Sequence, residues 1–210
     1  GGSMQPELLR EHIIKCKQAT DKPFAVNLPL LYSGIDKQME VLIQEEVPIV
    51  ITSAGNPSTW TPLLKSKSRI VLHVVSSAKF AKKAAAAGCD AVKFQKRNPD
   101  VCVPEHQKNI MRDTPWGQMT YLDYKYKVEF EKAEYDVIDA HCKAHGIEWS
   151  ASPWDMDSLE FLNKYDVPFL KVPSAMLTND ELLEGCVASG KRVIFSTGMS
   201  TKEEIDHAVM

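Results

Sequence analysis

The 210-residue sequence predicts an α/β protein: a parallel (β/α) barrel-like fold of the TIM-barrel type with about seven βα units. Three observations carry this. Strand-like and helix-like segments alternate along the chain, and most of the strands are continuously apolar with no two-residue hairpin signal, as in a parallel sheet covered on both faces. No glycine-rich dinucleotide fingerprint follows any strand, which weakens an open doubly wound sheet. Polar residues close several strands: Asn27, Ser53, Lys93 with Gln95, Ser152, Lys171 with Ser174, and Ser196 with Thr197. So many polar strand ends suit a ring of βα loops around one mouth. A full ring needs eight strands, so about seven implies a barrel that is incomplete or closed by oligomerisation.

Residues 6–19 open the series as a helix, with Leu8, Leu9, Ile13 and Ile14 at helical spacing and Pro6 suited to a first turn. Strand 24–28, amphipathic helix 35–46 and the β-branched strand 48–53 follow. After the Gly55-Asn56-Pro57 turn come a short helix at 59–65, strand 69–75 and an alanine-rich helix at 78–87. Gly88 supplies the left-handed stop, and a short buried strand from Ala91 ends with Lys93 and Gln95. Lys93 reads as part of an anion site or as a lysine that snorkels its ammonium to the rim. Residues 97–124 form a long polar insertion on the ligand side. Helix 129–145 ends at Gly146, strands follow at 147–151, 169–172 and 192–196, and helices at 156–164, 180–189 and from 201 onward.

Composition bounds the function. Net charge is -3 with 44% apolar and 25% charged residues, and no basic face is evident, which argues against a nucleic-acid partner. No apolar run reaches membrane-spanning length, so no membrane partner and a cytoplasmic location are expected. The five cysteines, Cys16, Cys89, Cys102, Cys142 and Cys186, show no Cys-x-x-Cys spacing, against disulfides or a structural zinc. His141 and His145 are spaced i, i+4, but no Glu-x-x-His pattern supports a metal and a helix C-terminus favours histidine anyway, so no metal ligand is assigned. His73, inside an apolar strand, reads as a core histidine. Residues 1–3 before Met4 read as a tag remnant, and the chain stops inside a helix.

Residues 88–210 carry Asp90-Ala91-Val92-Lys93-Phe94-Gln95, Trp116-Gly117, the stretch 121–130, Ser152-Pro153-Trp154-Asp155, Phe169-Leu170-Lys171-Val172-Pro173-Ser174 and Ser196-Thr197-Gly198-Met199. In these motifs and their order the stretch resembles the barrel of the sialic acid (N-acetylneuraminate) synthase family, which condenses phosphoenolpyruvate with an N-acetylated aminosugar. The resemblance implies that Lys93, Ser152, Lys171, Ser174 and Ser196 contact the phosphate and carboxylate of phosphoenolpyruvate, with Gln95 in the same mouth. Residues 4–87 carry Asp21-Lys22-Pro23-Phe24-Ala25-Val26-Asn27-Leu28 and Val50-Ile51-Thr52-Ser53-Ala54-Gly55-Asn56-Pro57, and resemble the nitronate monooxygenases and flavin enoyl reductases. That second resemblance makes Asn27, Ser53 and Gly55 the remnant of a flavin site.

Both catalytic sets depart from their families. His73 lies near the place of the synthase family's catalytic glutamate, Met176 stands for its acidic sugar contact, and its metal-binding histidines belong to strands beyond residue 210. The flavin family's phosphate grip and catalytic histidine are replaced. The expected protein is therefore a hybrid or engineered scaffold, two fragments in one domain that cross over within Gly88 to Val92, with a partial anion site and no complete catalytic set. The alternatives are a working sialic acid synthase-like transferase and an FMN-dependent oxidoreductase. No cofactor is expected unless one of these holds, bringing a divalent metal or FMN. The expected partners are a small anion such as phosphate or sulfate and the chain itself, most simply as a dimer, because missing strands leave sheet edges to pair.

Overall fold

The computed structural model describes residues 4–210, and the tag expected at residues 1–3 lies outside them. The chain resolves into two compact units, residues up to Lys93 with His145–Glu148, and Phe94–Ala144 with Trp149–Met210.

In the first unit, α1 (Pro6–Ala19) starts on a proline that would waste no helical hydrogen bond there, and buries Leu9 and Ile13. It is followed by β1 (Ala25–Pro29), α2 (Ile35–Gln44), β2 (Ile49–Ser53), α3 (Thr61–Ser66), β3 (Ile70–Val74) and α4 (Ala78–Ala86), and by the start of β4 (Ala91–Lys96). The strands pair in parallel, with Val26 opposite Val50, Val50 opposite Val71 and Leu72 opposite Ala91. Their apolar runs fill both faces, so Leu28, Val50, Val71 and Val92 are wholly or almost wholly buried, with Met39 and Leu42 of α2 and Leu64 of α3. Ser77 caps α4 by accepting from Phe80 N, and Gly88, at φ +85°, ends the turn into β4 in a conformation that side chains disfavour. Asp90 then holds the strand start, accepting from Val71 N (2.7 Å) and from Lys65 Nζ (2.6 and 2.8 Å).

The second unit takes up the end of β4 and continues through α5 (Pro99–Cys102), α6 (Glu105–Lys108), β5 (Met111–Thr114), β6 (Gly117–Thr120), α7 (Tyr121–Val128) and α8 (Lys132–Ala144). It then runs through β7 (Glu148–Pro153), α9 (Met156–Leu162), β8 (Phe169–Val172), α10 (Asp180–Ala188), β9 (Arg192–Phe195) and α11 (Lys202–Val209). Its core is aromatic. Tyr135 is fully buried, with ring centroids of Phe161 at 5.2 Å, Trp149 at 5.6 Å and Phe94 at 6.1 Å, and its hydroxyl donates to Gln95 O (2.8 Å).

The strands form a five-stranded sheet in the order β1-β2-β3-β4-β7 and a parallel pair β8-β9, an α/β barrel-like arrangement of the expected class. The insertion at 97–124 differs from the expected loop: β5 and β6 are an antiparallel hairpin, Met111 opposite Thr120 and Thr114 opposite Gly117, and α7 follows directly. Its strands are polar and mostly exposed, so no alternation of apolar residues betrays them. The turn itself was readable: Thr114 Oγ1 accepts from Trp116 N (3.2 Å), and Gly117 takes φ +97°.

Candidate functional site

The groups most able to hold a ligand stand at the end of the β8-β9 pair. Lys171 faces Ile194 across the ladder, and Ser196 N extends it by donating to Val172 O (3.1 Å). After Pro173 the chain tightens into a single turn of 3-10 helix, Ser174–Met176, which places Ser174 beside the segment after β9. A Cβ on Gly198 would lie 3.6 Å from Ser174 Oγ. Lys171, Ser174 and Ser196, all half-buried, thus stand on two adjoining strand ends. Burial lowers the Lys171 pKa, since an ammonium taken from water favours its neutral form. Among the described residues no carboxylate, carbonyl or hydroxyl bonds its Nζ, so nothing offsets that cost.

The other residues of the expected anion site lie as follows. Ser152 is completely buried on β7, the strand whose Ser150 hydroxyl donates to Phe169 O on β8. Gln95 is exposed near the end of β4. Lys93, in the first unit, is buried on β4, its carbonyl accepting from Val75 N (3.0 Å).

A network that the sequence reading missed surrounds the end of β4. Glu129 is almost wholly buried, with 3% of its side chain exposed. It accepts from Arg97 N (2.9 Å), and its carboxylate lies 3.1 Å from Arg97 Nε and 3.8 Å from Lys96 Nζ. Burial raises the Glu129 pKa, opposed by Arg97 and Lys96. Lys96 Nζ donates to Phe130 O (2.8 Å) and Glu131 (3.3 Å). Asp155 caps α9 by accepting from Ser158 N (2.7 Å), and takes a second bond from Asn98 N (2.7 Å). Cys102 Sγ lies 3.1 Å from the same carboxylate, and burial with that negative neighbour pushes its thiol up to about 12. The available signal was Trp154-Asp155 ahead of a helix, an N-cap pattern.

The residues expected as a flavin remnant lie on β1, at the end of β2 and in the turn after it. Asn27 is exposed in β1, and Ser53 O accepts from Leu30 N (2.6 Å). A Cβ on Gly55 would lie 2.6 Å from Leu30 Cβ, so close packing alone requires glycine there. His73, near the place of the synthase family's glutamate, is buried with Nδ1 2.7 Å from Thr52 Oγ1 and a second bond to the Gly55 backbone. Among the described residues no three His, Cys, Asp or Glu side chains gather as a metal site. Among them, too, no helix is long and apolar enough to cross a membrane.

Fold and site together define a parallel α/β barrel-like protein with cationic and hydroxyl groups at its strand ends. The chain belongs to the NeuB family, whose model matches residues 80–210. It is similar to N-acetylneuraminate-9-phosphate synthase of Drosophila melanogaster, 35% identical over 125 residues, 59% of this chain and 33% of that protein. The chain thus spans about a third of the length of such curated relatives. The solved N-acetylneuraminic acid synthetase of Leptospira borgpetersenii, in complex with citrate, superposes with a TM-score of 0.56 at 26% identity, over 77% of this chain and 48% of that one. A stretch of 87 residues, 41% of this chain, is 34% identical to 25% of a (3aS,4S,5R,7aS)-5-hydroxy-7a-methyl-1-oxo-octahydro-1H-indene-4-carboxyl-CoA dehydrogenase of Rhodococcus jostii.

Proposed function

We propose that this chain carries the phosphoenolpyruvate-gripping strands of a sialic acid synthase-like transferase, the enzyme type that joins phosphoenolpyruvate to an N-acetylated aminosugar. The observation that carries the reading is Lys171, a half-buried ammonium at a strand end with no partner among the described residues. A desolvated cation of that kind is stabilised by an incoming anion. Ser174 and Ser196 supply hydroxyl donors, and Ser152 and Gln95 further polar contacts. Calorimetric titration of phosphoenolpyruvate tests the grip: it should bind the wild type, and Lys171→Ala should abolish the heat. Binding unaltered in Lys171→Ala would sink the reading.

A second reading is favoured by one finding: the family match begins at residue 80, after three strands of the sheet have passed. In it the chain is a hybrid of a flavin-barrel fragment, residues 4–87, and a synthase fragment, residues 88–210, in one domain, keeping the anion grip without the catalytic set. His73, engaged with Thr52, and Met176 in the place of an acidic sugar contact agree with it. Phosphate release from phosphoenolpyruvate and an N-acetylated aminosugar, with added divalent metal, separates the two. Release supports the transferase; binding without release supports the hybrid. A homodimer is proposed for either, and a monomer mass by light scattering at micromolar concentration would refute it.

A further inference from the structure

Gln95 is exposed, yet both of its carbonyl oxygens are engaged. Its backbone carbonyl is fixed by the Tyr135 hydroxyl, and its side-chain Oε1 accepts from Arg97 Nη2. A guanidinium has N–H donors and no acceptor, so this contact admits only one orientation of the amide: carbonyl toward Arg97, NH2 away from it. Among the described residues Nε2 has no partner.

Arg97 is itself held on three sides. Its backbone N–H and its guanidinium both meet the Glu129 carboxylate, and its guanidinium carbon lies 5.0 Å from the Trp154 ring centroid. The Nε contact at 3.1 Å is an ion pair without hydrogen-bond alignment. A pair this buried is no efficient source of stability, because desolvating both charges consumes most of their attraction. Orientation is what the arrangement supplies.

We propose that Glu129, Arg97 and Trp154 clamp the Gln95 amide with its NH2 outward, so that the end of β4 presents a fixed hydrogen-bond donor to an anionic oxygen of the ligand. Glu129 and Arg97 are then positioning residues that act through Gln95. The ligand class rests on the phosphoenolpyruvate reading, whereas the clamp is a property of the ligand-free chain.

The test has two parts. In 15N-labelled protein, the Gln95 side-chain NH2 signals are assigned by their loss in Gln95→Leu. Their heteronuclear NOE should match the ordered backbone in the wild type. In Glu129→Gln and in Arg97→Met it should fall to the level of other exposed glutamines, with backbone signals outside the β4 end unchanged. Arg97→Lys, which keeps the charge and loses the planar fork, should not restore it. An amide already mobile in the wild type overturns the clamp whether or not anything binds. In the second part phosphoenolpyruvate is titrated. Gln95→Met, which keeps the length and removes the donor without adding charge, should weaken binding about tenfold or more, the worth of one hydrogen bond to a charged group. Adding Arg97→Met to Gln95→Met should cost nothing further. Equal binding by wild type and Gln95→Met overturns the donor role. A clamped amide in a wild type that takes up no phosphoenolpyruvate overturns the ligand class and leaves the positioning role standing.

Discussion

His73 in the first unit and Lys171 in the second both stand on apolar parallel strands, and both have pKa values lowered by burial. His73 is answered from within, by Thr52 across the β2-β3 ladder and by the Gly55 backbone. Lys171 is not answered by any described residue. The first unit's polar group is closed and structural. The second unit's has no partner among the described residues, and it lies on one of the two adjoining strand ends that also carry Ser174 and Ser196. Burial of a polar group therefore says little about function until its hydrogen bonds are counted.

The comparison can be broken in several places. The second unit should draw its stability from its aromatic core, so Tyr135→Ala should cost about 3–5 kcal/mol in urea unfolding. Lys171→Met should reverse the usual pattern: phosphoenolpyruvate affinity falls about a hundredfold, as expected for one charge-assisted contact, while the urea midpoint holds or rises. A marked loss of stability in Lys171→Met would show a partner that the contrast denies. Thr52→Val leaves His73 short of one bond and should cost about 1–2 kcal/mol, with anion affinity unchanged.

The smallest effect is a pH dependence. The His73 pKa lies below the ordinary 6.5 in the folded chain, so the unfolded chain binds more protons between those two values. Stability should fall as pH drops through 6.5 and level off below the folded value. In His73→Asn, compared by urea midpoints at pH 7.5 and 5.5, that slope should be shallower.

What could be read in the sequence follows physical signal strength. The β-branched run of β2 and the glycine-stopped helix before β4 announce themselves, because pattern and local conformation agree. Around residue 129 they disagree. The expected helix 129–145 starts only at Lys132, because Glu129 is extended (φ -81°, ψ 144°) and spends its carboxylate on Arg97, far away in sequence. α7 went unread although Tyr121, Tyr124 and Val128 keep helical spacing and Thr120 caps it at Asp123. Strand-end residues such as Lys171 were visible as polar letters in apolar runs. The Gln95-Arg97-Glu129 relay was not, since no local pattern encodes the Arg97-Glu129 contact, which spans 32 residues.

The β5-β6 hairpin has a consequence in time. All its ladder contacts lie within ten residues, from Met111 to Thr120, whereas each parallel pairing joins strands separated by a longer crossover connection. Hairpins close in about 1–10 μs, and non-local strand pairings in proteins of this kind take far longer. The insertion can therefore sample its turn and register while the strands on either side of it are still searching for their neighbours, and keep them once the surrounding sheet has formed.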